Sequence, residues 1–219
     1  MIETTRTWDP TTLVSVGILA LPLGNALKLA GNLGTFNSIG YGIPADTEAA
    51  IAAGPGFFLG ELIGSVLPVI LGIFGVFALF AYLGRRRIVV TALVCAIVGS
   101  GATLAALGVI NYAIPALAHA YQAGNTGAMV IADGFFKWPW GAMIYPAALV
   151  PIGLVLFSVA LWRSTTISRA AIAVSALSAV LISIPVPLHS VRLAGGALGL
   201  VAGTWLAVAI RRDVVGSPR

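Results

Sequence analysis

Charge is what this sequence has least of. Only 9% of its 219 residues are Asp, Glu, Lys or Arg, against 59% apolar, too few to coat a soluble domain of this size. Acids are scarcest, seven against twelve Lys and Arg. The formal charge of +5 comes mostly from arginines between or after apolar runs. That placement signals membrane topology and argues against nucleic-acid binding. The single cysteine, Cys95, excludes an intramolecular disulfide and reads as a small buried hydrophobe. There are two histidines, His119 and His189, and no third residue at metal-ligand spacing, so neither metal nor haem nor any other cofactor is expected. No G-x-S-x-G, no H-E-x-x-H and no phosphate-cradling loop occurs. The opening MIETTRTWDP lacks a basic stretch leading into a short core and cleavage site, so a cleaved signal peptide is not expected.

What the chain has is apolar length. The stretch GPGFFLGELIGSVLPVILGIFGVFALFAYLGRRR, residues 54–87, opens on a Gly-Pro-Gly breaker and stops at three arginines. Between Phe57 and Leu83 it holds one carboxylate, Glu61. A helix of that length is about 40 Å long, more than the roughly 30 Å of a hydrocarbon core. It must tilt or bend, and Pro68 near its middle is the place. Similar runs predict one all-α integral membrane domain over 1–219, with six transmembrane helices at about 12–30, 57–83, 88–121, 139–162, 170–184 and 193–210. The third is expected to bend at Pro115. Asp46-Thr47-Glu48 before a run of alanines predicts a short surface helix ahead of the second. Trp138, Trp140 and Lys137 fit an interfacial belt.

Six helices put both termini on one side. Nine arginines (6, 85, 86, 87, 163, 169, 211, 212 and 219) fall on that side, and Lys28, Lys137 and Arg192 on the other. The excess predicts cytoplasmic termini. High Gly, Ala, Val and Arg usage has the look of a GC-rich bacterial genome, so a multi-pass protein of the bacterial cytoplasmic membrane is expected. The stretches ADTEAAIAAGPGFFLGELIGSVLP, FALFAYLGRRR and LWRSTTISRAAIAVSALSAV resemble an uncharacterised family of six-helix bacterial integral membrane proteins. The resemblance implies the helix count and carries no activity with it.

Polar residues in apolar runs are the candidate site, since each is costly unless turned inward. Asn25, Lys28 and Asn32 share a face near the outer end of the first helix. Glu61 lies about 6 Å inside the second. Asn111, Tyr112 and His119 end the third, Tyr145 begins the fourth, and His189 and Arg192 lie before the sixth. All belong to the extracytoplasmic half, which predicts an outward-opening pocket for a small or lipid-like ligand, with Lys28 pairing Glu61. An intramembrane lipid- or isoprenoid-modifying enzyme with Glu61 as its acid is the alternative. Phe57, Phe58, Tyr112, Tyr145, Trp138 and Trp140 would shield a cationic intermediate there. A third reading is a membrane subunit of a larger transporter. Its partner would sit on the small faces Gly56/Gly60/Gly64 or Gly195/Gly199/Gly203.

Overall fold

Apolar runs bounded by glycine, proline and arginine form helices here. The computed structural model describes residues 10–33, 44–135, 137, 145–163, 167–183 and 189–216, without the side chains of Pro10, Asn32, Ser183, His189, Ser190 and Arg192. Helices α1 (Pro10–Gly17) and α2 (Ala20–Leu33) form the first rod, broken at Ile18–Leu19. The predicted acidic surface helix is α3 (Ala45–Ala52). The second rod is α4 (Pro55–Glu61), a π-helical turn (Leu62–Val66) and α5 (Leu67–Leu83). Next come α6 (Arg87–Gln122), α7 (Ala128–Gly134), α8 (Leu149–Trp162), α9 (Arg169–Ser183) and α10 (His189–Gly216).

Five helices are long and apolar enough to cross a membrane: 11–31, 55–83, 87–122, 145–162 and 193–216. The fifth of the six expected spans, at 170–184, is a shorter apolar helix over 169–182, about 21 Å long and so short of a full crossing without help. The run Pro185-Val186-Pro187 lies outside the described residues. So do residues 139–144 of the predicted fourth helix, and Trp138 and Trp140 of the expected belt.

The rods close into a ring in chain order. Each packs on the next, and α10 returns to α2. Neighbours run antiparallel. Gly17 meets Ala78 while Gly31 meets Gly64, and Gly203 meets Pro22 while Gly196 meets Leu29. Arg85, Arg86, Arg87, Arg163, Arg169, Arg211 and Arg212 therefore share one end of the ring. At that end Tyr82 donates to Asp213 at 2.7 Å, and the Arg169 guanidinium lies 6.0 Å from the Trp162 ring centre, a distance that allows a cation–π contact.

Pro68 is absorbed by backbone rearrangement. Proline has no N–H for the carbonyl four residues back and crowds it. The π-helical turn ends two residues earlier, the sort of local adjustment that re-satisfies freed groups in a membrane helix. At Gly64, within that turn, the rod touches Gly31, and a Cβ on Gly64 would stand 2.8 Å from the Gly31 Cα. Two backbones approach this closely only where both residues lack a side chain. Gly84, at φ +75, ends the rod before the arginines.

The ring is packed solid at the arginine end. Val14, Ile18, Leu79, Val89, Phe157, Leu161, Ile172, Leu206 and Ile210 are buried together there. At the opposite end α6 continues through Pro115 as one helix, about 54 Å long against a core of about 30 Å. Its overhang carries a small second cluster, Ile114 and Ala118 of α6 with Ala49 and Ala52 of α3 and Met129 and Ala132 of α7. Tyr121 donates to Asp46 at 2.6 Å across the same contact.

Glu48 sits in this cap. Burial first, and then Asp133 nearby, raise its pKa above the ordinary carboxylate value. A carboxyl with a raised folded pKa binds more protons folded than unfolded, so the cap loses stability as pH rises through the interval between the two values. Protection factors of amides in α3 and α7, each taken against the intrinsic exchange rate at its own pH, are expected to be larger at mildly acidic than at neutral pH, and Glu48→Gln is expected to remove the difference. Equal protection factors at both pH values in the unaltered protein would refute this.

Candidate functional site

Above the packed floor the ring does not close on itself. A cavity of about 630 Å³ lies along its axis, with wall residues from all six rods. Pockets that hold drug-sized molecules run from roughly 300 to 1,000 Å³. Val76, Leu79, Ala96, Phe157, Leu161 and Leu206 belong to both the floor cluster and the cavity wall. At the other extreme the wall is formed by Lys28, Ile182 and Tyr145. Tyr145 is 70% exposed and marks the mouth.

The wall is mostly aliphatic, with polar side chains spread along its depth. Asn25 Nδ2 donates to the Gly199 carbonyl at 2.9 Å, tying the first rod to α10. Ser178 Oγ donates to the Gly195 carbonyl at 2.8 Å, tying α9 to α10. Thr103 donates to the Gly99 carbonyl, and Ser158 to the Leu154 carbonyl, both at 2.9 Å. Hydroxyl protons spent on backbone leave lone pairs as the remaining hydrogen-bonding capacity. Gly199 has neither room nor need for a side chain. A Cβ there would stand 2.7 Å from Ser178 Oγ and 3.0 Å from Asn25 Oδ1, so three rods meet at one polar point.

The predicted site residues divide three ways. Asn25, Lys28 and Tyr145 line the cavity. Glu61, Asn111, Tyr112 and His119 are described and stand outside its wall. The side chains of Asn32, His189 and Arg192 lie outside the described residues. Lys28 lines the cavity and Glu61 does not. Lys137 and Asp133 form an exposed ion pair at 3.5 Å. Glu61 is 7% exposed, ends α4 just before the π-helical turn and has Ser65 beside it. The cavity also reaches Leu161, in the last turn of α8, so it is not confined to the Lys28 half.

Sequence reasoning left Ser100, Thr103, Ser158, Ser175 and Ser178 out of the candidate site, and all are wall residues. Serine and threonine are ordinary in apolar helices, and only convergence from different rods sets these apart. It also passed over Gly17, Gly24 and Gly31, whose seven-residue spacing does carry a signal. All three face the second rod, against Ala78, Pro68 and Gly64. The Gly195/Gly199/Gly203 face, read as a docking surface, is filled from within the chain by α9 and the first rod. Gly64 is filled likewise, by Gly31.

Asn111 is the unexplained polar group. It is 6% exposed and its Oδ1 is buried with no hydrogen-bond partner. Pro115, four residues on, also withholds the N–H that the Asn111 carbonyl would accept in a regular helix. A buried acceptor left unmade costs about 1–3 kcal/mol. Asn111→Leu is therefore expected to raise the thermal midpoint in detergent, by the equivalent of about 1–2 kcal/mol. A lowered midpoint would mean that Asn111 holds something through that oxygen.

Comparison with known protein families, curated proteins and solved structures finds no match. The functional reading rests on the chain's own geometry.

Proposed function

We propose that this is a multi-pass protein of the bacterial cytoplasmic membrane that binds, and moves or presents, a small or lipid-like ligand in the central cavity. One observation carries the reading: six rods with antiparallel contacts surround about 630 Å³ of mostly apolar space, sealed at the arginine end and reaching an exposed tyrosine at the other. Close packing is the rule in protein interiors, so a void of this size on the axis of a ring calls for an occupant. The arginine-rich end faces the cytoplasm by the positive-inside rule, which turns the mouth outward.

The enzyme reading is less well supported, because Glu61 stands outside the cavity wall. The subunit reading loses one of its docking faces, since Gly195, Gly199 and Gly203 are covered by the chain's own helices. The test is extraction and mass analysis of small molecules that accompany the detergent-purified protein. A stoichiometric compound, released on unfolding, is the expected result. Protein that carries none and retains no added apolar probe would end the proposal.

A further inference from the structure

A second polar point lies outside the cavity, where α6 packs against α4 and the π-helical turn. The Phe58 and Tyr112 rings meet there with their centroids 6.1 Å apart, and both rings are exposed, so they mark the rim of the contact. The second rod and α6 are joined at the arginine turn and run antiparallel. Glu61, three residues beyond Phe58, and Asn111, one before Tyr112, therefore lie at levels about 3 Å apart. Behind the exposed rings both side chains are more than nine-tenths buried.

Oxygen gathers at this level. Asn111 Oδ1 is buried with no hydrogen-bond partner among the described residues. The Asn111 carbonyl has lost its ordinary helical donor to Pro115. Across from it stands the Glu61 carboxyl with Ser65 beside it, at the start of the π-helical turn. A carboxylate in hydrocarbon needs positive charge close by. Oxygen ligands carrying one negative charge suit a hard monovalent cation: a divalent ion would leave net charge in the membrane, and softer metals prefer nitrogen and sulfur. Interrupted helices supply this chemistry in membrane transporters, where displaced backbone carbonyls ligate sodium. Here the interruptions are the π-helical turn and Pro115.

We infer that Glu61, Ser65 and Asn111 form a sodium site between the second rod and α6, with the Glu61 carboxylate as its charge and the side-chain and main-chain oxygens of Asn111 as neutral ligands. None of the three lines the cavity, so the site stands or falls apart from the reading of the cavity.

The experiment measures the thermal midpoint and the equilibrium binding of radioactive sodium by the detergent-purified full chain. Sodium chloride is exchanged for N-methyl-D-glucamine chloride at constant ionic strength and pH. Sodium is expected to bind saturably and to raise the midpoint, as any ligand confined to the folded state does. Glu61→Gln, which keeps the shape and removes the charge, is expected to abolish both effects. Asn111→Leu is expected to weaken sodium binding about tenfold or more, the size of one contact to a charged group. The midpoint gain expected of that variant then belongs to sodium-free buffer and shrinks as sodium rises. Glu48→Gln, in the cap, is expected to leave the sodium response unchanged. Direct binding keeps a variant with a lowered midpoint informative. No saturable binding by the unaltered protein, or binding that Glu61→Gln retains, overturns the site. A midpoint that follows pH and ignores sodium overturns it too, and gives the contact between Glu61 and Asn111 to a proton.

Discussion

Gly31→Leu is expected to abolish the folded protein. Gly31 and Gly64 meet backbone to backbone: a Cβ on Gly31 would fall onto the Gly64 Cα, and one on Gly64 would stand 2.8 Å from the Gly31 Cα. Nothing at this crossing is a flexible side-chain tip that could swing aside. Inserting extra methylenes into an ordinary core costs about 1–3 kcal/mol because neighbours adjust. Here adjustment means separating the first and second rods, which also pack at Gly17–Ala78 and Gly24–Pro68. Total stabilities are about 5–15 kcal/mol, so a loss above about 3 kcal/mol removes most folded material. Gly31→Ala should lower the thermal midpoint, and Gly31→Leu should leave little monodisperse protein on size exclusion. Gly101→Leu and Gly108→Leu are the controls, since a Cβ at either meets nothing within 4 Å. A monodisperse, heat-stable Gly31→Leu protein would show that the two rods can part at this crossing without loss of the fold.

Gly72→Leu should do the opposite, keeping the fold and destroying the site. Gly72 lies on the cavity wall, and a Cβ there has nothing within 4 Å. Leucine in place of glycine inside a helix gains up to about 1 kcal/mol in helix propensity. Its side chain enters space that is otherwise open and is held there by the aliphatic wall. The thermal midpoint should hold or rise. Retention of whatever occupies the cavity should fall by about tenfold or more, since losing two or more buried methylene contacts to a blocking side chain removes at least about 1.4 kcal/mol. A variant that keeps both its midpoint and its ligand would move the binding site off the axis of the ring. One that loses its midpoint would place Gly72 in a tighter setting than open wall.

The two substitutions are the same exchange on adjoining rods, and nothing local in the sequence separates them. Gly64 and Gly72 even share one four-residue series with Gly56, Gly60 and Pro68. That series was legible as a small-residue face. Which member touches backbone and which faces open space depends on where the neighbouring rods lie.

Local chemistry was enough for the rest of the outline. The breakers at residues 54–56, the arginines at 85–87 and the acidic start at Asp46 placed helix ends to within a few residues. The expected bend at Pro115 did not become a break: α6 continues through it as one helix. The short α9 was the weak point of the six-span count: an apolar run shows composition, whereas spanning needs length.

What the sequence determined by itself is the kind of molecule: a helical chain too poor in charge for water, with its arginines gathered at alternate turns. Those properties follow from residues a few positions apart. Closure of the rods into a ring, the void on its axis, the convergence of Asn25, Ser178 and Gly199 and the exclusion of Glu61 from the wall belong to the tertiary structure alone. They depend on how residues more than a hundred positions apart, such as Asn25 and Gly199, come to lie at the same depth, and no local pattern encodes that.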